Sequence, residues 1–252
     1  MLRTSFTAEL ENLEKQLLRM GSFVENMLGS SIKALVEQNE DLANEVILRD
    51  DIVDEMDVSI EHLCMRLLAL QQPLAKDLRT VGTALKIITD LERIGDYAVD
   101  IARLAKSLAR EPYFKPLVDI PQMGAVAQSI VRDAIRSFIE RDLDLVREVC
   151  ERDSEVDHLW HALLAELIEH MEKEPWIVRQ AVALLLAARY LERIADHATN
   201  IAERVSYTET GELLHIAKVH APRLEDHDAD AMPEEHEPPS EPEPPTGVSD
   251  PR

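Results

Sequence analysis

One twelve-residue stretch is written twice in this chain, as LERIGDYAVDIA over Leu91–Ala102 and LERIADHATNIA over Leu191–Ala202, one hundred positions apart. Glu92, Arg93, Ile94, Asp96, Ala98, Ile101 and Ala102 recur as Glu192, Arg193, Ile194, Asp196, Ala198, Ile201 and Ala202. Such a repeat means two tandem copies of one structural unit. The Glu-x-x-x-Asp it preserves sets two carboxylates one helical turn apart on a single face, where like charges repel. Counting back from Glu92 by threes and fours gives Ile88, Leu85, Val81, Leu78 and Leu74, an apolar seam into which Glu92 intrudes. Glu192 follows Ala188, Leu185, Ala181 and Val178 in the same way. A carboxylate in such a seam is costly unless a cation or hydrogen bonds offset it.

Each copy holds a second acidic pair upstream, Asp50 and Asp54 in the first and Asp153 and Asp157 in the second. Asp54 lies 19 residues before Pro73 and Glu92 lies 19 after it, while Asp50 and Asp96 lie 23 before and after. If a turn at Pro73 folds two helices into an antiparallel hairpin, all four carboxylates reach one height, roughly 28 Å from the turn at 1.5 Å per residue. Around Pro175 the counts are 18 and 17, then 22 and 21. Both copies are thus expected to gather four carboxylates between neighbouring helices. Asp100 extends the first acidic stripe, but its counterpart is Asn200, so the second cluster carries less charge.

Leu10, Leu13, Leu17, Met20, Val24, Met27, Ser31 and Ala34 predict a long first helix from about Ser5 to Gln38. After a polar break at 39–41, a second helix runs to about Leu70, with Val53, Met56, Ile60, Leu63, Leu67 and Leu70 inward. Gln71–Pro73 turns the chain, and a third helix spans Leu74 to about Arg110. Gly21, Gly29 and Ser30 are small enough for a close helix crossing, but ordinary packing is the expected role. Pro112, Pro116 and Pro121 mark 111–121 as a linker. Helices over 122–141, 142–173 and 176–205 then repeat the three, with 208–219 a weak extension. The expected fold is all-α, a tandem repeat of two antiparallel three-helix bundles over 1–110 and 122–221. From 222 to 252, eight prolines and ten acids among 31 residues predict a disordered tail, with His227 and His236 in it solvated rather than metal-bound.

The net charge of -22 argues against nucleic-acid or anionic-lipid binding and favours cations. No apolar run is long enough for a membrane span and no secretory signal opens the chain, so a cytoplasmic location is expected. Cys64 and Cys150 occupy non-equivalent repeat positions and read as buried free thiols.

For the acids, the plainest role is ion pairing with Arg79, Arg93, Arg103, Arg179, Arg189 and Arg193. The repetition, seam position and matched distances from the turn favour a metal site built from Asp50, Asp54, Glu92, Asp96, Asp100, Asp153, Asp157, Glu192 and Asp196. Carboxylates without cysteines or paired histidines suit hard divalent or trivalent ions, such as magnesium, calcium, manganese or ferric iron. A ferritin-like di-iron oxidase needs Glu-x-x-His on two helices, and up to Val205 only Glu155 and His158 match. No phosphate-binding glycine loop or nucleophile constellation appears, so an enzyme is not expected.

The quoted elements resemble the PhoU family of phosphate-signalling regulators over roughly Phe6–Val205, through RDDIVDEMD, LALQQPLAKDLRTV, TDLERIGDYAVDIA and YLERIADHATNIAE. Asn200, the altered turn at Glu174 and Pro175, and the acidic tail depart from the family pattern. The resemblance implies paired three-helix bundles whose acidic motifs bind metal clusters, iron, manganese or magnesium. It also implies a cytoplasmic homodimer that negatively regulates the phosphate regulon, linking the phosphate ABC transporter ATPase to a phosphate-sensing histidine kinase. The competing reading is a metal-binding scaffold or storage protein unrelated to phosphate.

Overall fold

The computed structural model describes residues 2–212, in which every regular element is helical. The tail assigned to 222–252, with His227 and His236, lies outside the described residues. Helix α1 spans Leu2–Glu37, α2 Glu40–Leu48, α3 Asp50–Gln71 and α4 Ala75–Leu108, forming the first bundle. Helices α5 (Asp119–Glu140), α6 (Leu143–Lys173) and α7 (Val178–Thr210) form the second, and both bundles belong to one unit.

Local chemistry sets most boundaries. Asn39 caps α2 by accepting the Leu42 N–H at 3.0 Å. Asp142 caps α6 by accepting from Asp144 at 2.9 Å and Leu145 at 3.1 Å. At the other end of the chain Gly211, at φ 81°, closes α7 with its N–H on the Tyr207 carbonyl. The extension expected over 208–219 therefore ends at Thr210, and residues from 213 lie outside the described set. The single second helix expected up to Leu70 is divided at Arg49 into α2 and α3. Leu70, Leu74 and Leu78, expected inward, are exposed at 71, 80 and 48%. The seam holds only from Val81 onward, because the Gln72 turn lies beyond the packed part of the bundle.

Helices α4 and α7 form the centre of the fold, each packed by its own bundle and against the other. Their seams are therefore broad: Ile87, Leu91, Ile94, Ala98, Ile101 and Ala102 on α4 are all fully buried. The contacts run antiparallel. Thr208 donates to Thr83 Oγ1 at 2.7 Å, His197 Nδ1 meets Asp90 Oδ1 at 2.9 Å, and Tyr97 stacks on Tyr190 with centroids 5.7 Å apart. Because Tyr97 and His197 are repeat equivalents, as are Asp90 and Tyr190, the two aromatic and polar contacts occupy symmetric places about a pseudo-twofold axis.

The same relation governs α1 and α5. A Cβ on Gly21 would lie 2.8 Å from Ile135, and one on Gly124 would strike the tip of Ile32. Glycine thus appears where each isoleucine of one bundle enters the other, and Gly29 similarly meets Gln128. The linker read over 111–121 is shorter, since α5 begins at Asp119. It is pinned to both bundles: Tyr113 donates to the Leu35 carbonyl at 2.6 Å, and the Phe114 N–H donates to Gln180 Oε1 at 2.8 Å.

Asp90 is buried, with His197 Nδ1 at 2.9 Å and the Arg204 guanidinium at 3.7 Å as its neighbours. Truncating one partner of a buried carboxylate leaves it undercompensated. His197→Ala is expected to cost about 2 kcal/mol, read as a lowered urea midpoint with an unchanged m-value.

Candidate metal centre

The hairpin of α3 and α4 brings the first acidic set together. Burial, then the charges of Asp96 and Asp54, hold the Asp50 carboxyl above its usual range, with Arg103 opposing. Burial and Asp96 raise Glu92, with Asp57 and Asp54 adding and Arg93 opposing. These mutual effects mark Asp50, Asp54, Glu92 and Asp96 as neighbours across two helices. Asp57, not singled out in the sequence, joins them, and its own carboxyl is raised by burial, Glu61 and Asp54. Its signal was available: the antiparallel register that opposes Asp54 to Glu92 opposes Asp57 to Thr89. Asp100 instead pairs with Arg103 at 2.8 Å, and its charge acts on Tyr190 of the second bundle.

The second set, on α6 and α7, is drier, with the Glu192 side chain 12% exposed against 28% for Glu92. Burial, then Asp196, Asp157 and Glu192, pushes Asp153 up to about 7. Glu192 is also pushed up to about 7, by burial, Asp196 and Asp157 against Arg189 and Arg193. Asp196 is raised by burial and Asp157, with Arg193, Arg189 and His197 opposing. Glu192 Oε2 is buried without a hydrogen-bond partner. Thr199, 1% exposed, lies close enough to ease Asp153, yet its Oγ1 makes no well-formed bond.

The expected arginine pairing is realised in part. Arg93 lies 3.4 Å from Glu92 and 2.9 Å from Asp96, and Arg189 pairs with Glu192. Among the described residues, no three acids, histidines or cysteines stand within one ion's reach as their side chains lie. The clusters are neighbouring carboxylates rather than closed coordination shells. Their donor set nevertheless fits a hard cation: four acids from two helices in each copy, with an orphaned Glu192 oxygen and the Thr199 hydroxyl bordering the second.

Other candidates separate from these sites. Glu155 and His158 are both exposed, and His158 Nδ1 bonds the Ser154 carbonyl, so this pair does not enter the bundle interior as a di-iron site requires. Cys64 and Cys150 are free, and burial pushes both thiols up to about 12, which leaves little reactive thiolate. No described helix is long and apolar enough to cross a membrane.

The PhoU domain family matches residues 17–105 and 120–205, covering both acidic clusters. The phosphate-specific transport system accessory protein PhoU homolog of Clostridium acetobutylicum is 42% identical over 212 residues, covering 84% of this chain and 97% of that protein. The protein of the same description from Aquifex aeolicus is also 42% identical, over 82% of this chain and 93% of its own length. Among solved structures, PhoU from Pseudomonas aeruginosa superimposes with a TM-score of 0.79 at 38% identity, covering 82% of this chain and all of that one. The phosphate transport system regulatory protein PhoU from Streptococcus pneumoniae gives 0.77 at 30% identity, over 83 and 99%. With both repeats matched and relatives aligned over nearly their whole length, this chain belongs to the PhoU family.

Proposed function

We propose that this protein is a non-enzymatic regulator of phosphate transport, restraining uptake and the phosphate regulon when phosphate is plentiful. The observation that carries this reading is the full-length similarity, through both repeats, to phosphate-specific transport accessory proteins. Its partners in this reading are the phosphate ABC transporter ATPase and a phosphate-sensing histidine kinase, met in the cytoplasm by a homodimer. Exposed apolar side chains at Trp176, Val178, Val182 and Leu186 supply area for association.

Asp50, Asp54, Glu92 and Asp96 would hold ions in the first bundle, and Asp153, Asp157, Glu192 and Asp196 in the second, with iron, manganese or magnesium as candidates. A bound multivalent cation would supply positive charge that offsets the clustered carboxylates. The acids stand at one height on α3 and α4, and on α6 and α7, where they repel one another, so an ion shared across a cluster would join the two helices of each hairpin. Support comes from the mutual elevation of these carboxyls and from the orphaned Glu192 oxygen.

Deleting the gene tests the regulatory role. Phosphate-responsive transcription is expected to rise in phosphate-replete medium, and an unchanged reporter contradicts the assignment. Pull-down of the transporter ATPase with and without chelator separates a regulator from a metal scaffold. A scaffold unrelated to phosphate retains no transporter in either case.

A further inference from the structure

The two carboxylate clusters are not copies of each other at their turn-proximal end. In the first copy Asp57 and Thr89 face each other across α3 and α4 in the register that opposes Asp54 to Glu92. The Thr89 hydroxyl is turned back on the Leu85 carbonyl at 3.2 Å. In the second copy the equivalent positions are Trp160 and Arg189. The Arg189 guanidinium lies over the Trp160 ring, 5.9 Å from its centroid, and pairs with Glu192. An acid has thus become an aromatic platform, and a neutral hydroxyl has become the cation resting on it. Both copies also carry an arginine directly after the glutamate, Arg93 and Arg193, so Arg189 is an additional positive charge found in the second copy.

We propose that Arg189, held by Trp160, is a tethered cation that occupies the end of the second carboxylate cluster and competes there with multivalent metal ions. The inference rests on the metal-binding reading above and goes beyond it, because it assigns the two clusters different affinities for a reason built into the chain. Glu192 Oε1 is engaged by the guanidinium while Oε2 remains buried and unpartnered. An incoming ion must therefore displace Arg189 or share Glu192 with it. At this position the first cluster has Thr89 in place of a cation and gains Asp57 as a further oxygen donor, while its own Arg93, the more exposed of the two arginines, pairs with Glu92 and Asp96. As free cation rises, the first cluster fills before the second, which makes the second the one that responds at high supply.

The test uses the full chain in an Asp54→Asn plus Glu92→Gln background, so that only the second cluster binds. Mn²⁺ is titrated into chelator-stripped protein by calorimetry and followed by the electron paramagnetic resonance signal of free ion. Arg189→Thr, which restores the residue of the first copy, is expected to tighten Mn²⁺ binding about tenfold. Arg193→Thr, which removes an exposed charge next to the same glutamate, is expected to change it less than threefold. Arg189→Lys keeps the charge and is expected to bind no tighter than the parent, which separates competition from loss of fold. If the parent binds Mn²⁺ and Arg189→Thr binds no better, or if Arg193→Thr has the same effect, the tethered-cation assignment is overturned. If neither this parent nor the unmodified protein binds Mn²⁺, the metal reading fails and takes the inference with it.

Discussion

Replacing Gly21 and Gly124 together by leucine is expected to cost about 4 kcal/mol and lower the melting temperature by about 10 °C. Each glycine accepts an isoleucine from the other bundle: a Cβ at Gly21 would come within 2.8 Å of Ile135 Cγ1, and one at Gly124 would meet Ile32 Cδ1 closer still. A leucine at either site must push α1 and α5 apart, opening a seam that includes the fully buried Met20, Leu28, Met123 and Ile130. Helix propensity alone predicts the opposite sign, since glycine is about 1 kcal/mol worse than alanine inside a helix. Gly82→Ala isolates that effect, because a Cβ there meets nothing within 4 Å. It is expected to stabilise the protein by about 0.5–1 kcal/mol. Equal stabilisation of all three sites would show that the bundles do not touch as described.

The second large effect concerns the charge buried on α6 and α7. Asp153→Asn combined with Glu192→Gln is expected to raise the melting temperature of metal-free protein at pH 8 by about 5–10 °C. Both carboxyls stand near 7 in the folded chain, above their ordinary values of 3.8 and 4.5, chiefly because burial opposes their ionisation and neighbouring acids repel. The folded state therefore holds more protons than the unfolded one between about pH 4 and 7, and stability falls as pH rises through that window. Each tenfold change in proton affinity corresponds to about 1.4 kcal/mol, and discounting the sum over both groups by more than half for solvent screening leaves a penalty on the order of 3 kcal/mol. The neutral isosteres remove it, so the advantage of the double variant shrinks towards pH 4, where the native acids are protonated. Saturating Mn²⁺ is expected to stabilise the native protein at pH 8 and leave the double variant nearly unchanged. A pH-independent difference between the two proteins would refute the electrostatic origin.

Much of this was legible in the chain itself. The hundred-residue repeat pointed to two bundles, and the equal distances from Pro73 brought Asp50, Asp54, Glu92 and Asp96 together across α3 and α4, because antiparallel helices convert sequence counts directly into height, although the same counts did not separate Asp100 from the group. Leu70, Leu74 and Leu78 misled for a related reason: periodicity reports which face an apolar residue shares, not whether a neighbouring helix reaches that far. The break at Arg49 was hidden because apolar spacing continues through it. The relation between bundles was not readable, since the antiparallel α4 and α7 contact depends on pairing Asp90 with His197 and Tyr97 with Tyr190 across separate repeats. Gly21 was visible as a small residue, but Gly124 was not singled out, and the isoleucine partners of both emerge only from the three-dimensional symmetry. Asp57 and the Trp160 and Arg189 pair were missed because a search for what the copies share passes over the positions where they differ.

The claim on which the rest depends is that acids from adjacent helices jointly hold multivalent cations, once in each bundle. Chelator-stripped protein, reloaded with Mn²⁺ by equilibrium dialysis and assayed by elemental analysis, tests it most directly. At least one ion per bundle is expected, with Asp54→Asn plus Glu92→Gln abolishing the first bundle's share and Asp157→Asn plus Glu192→Gln the second's. A fourfold variant that retains the native metal content, or a native protein that takes up none, would contradict it.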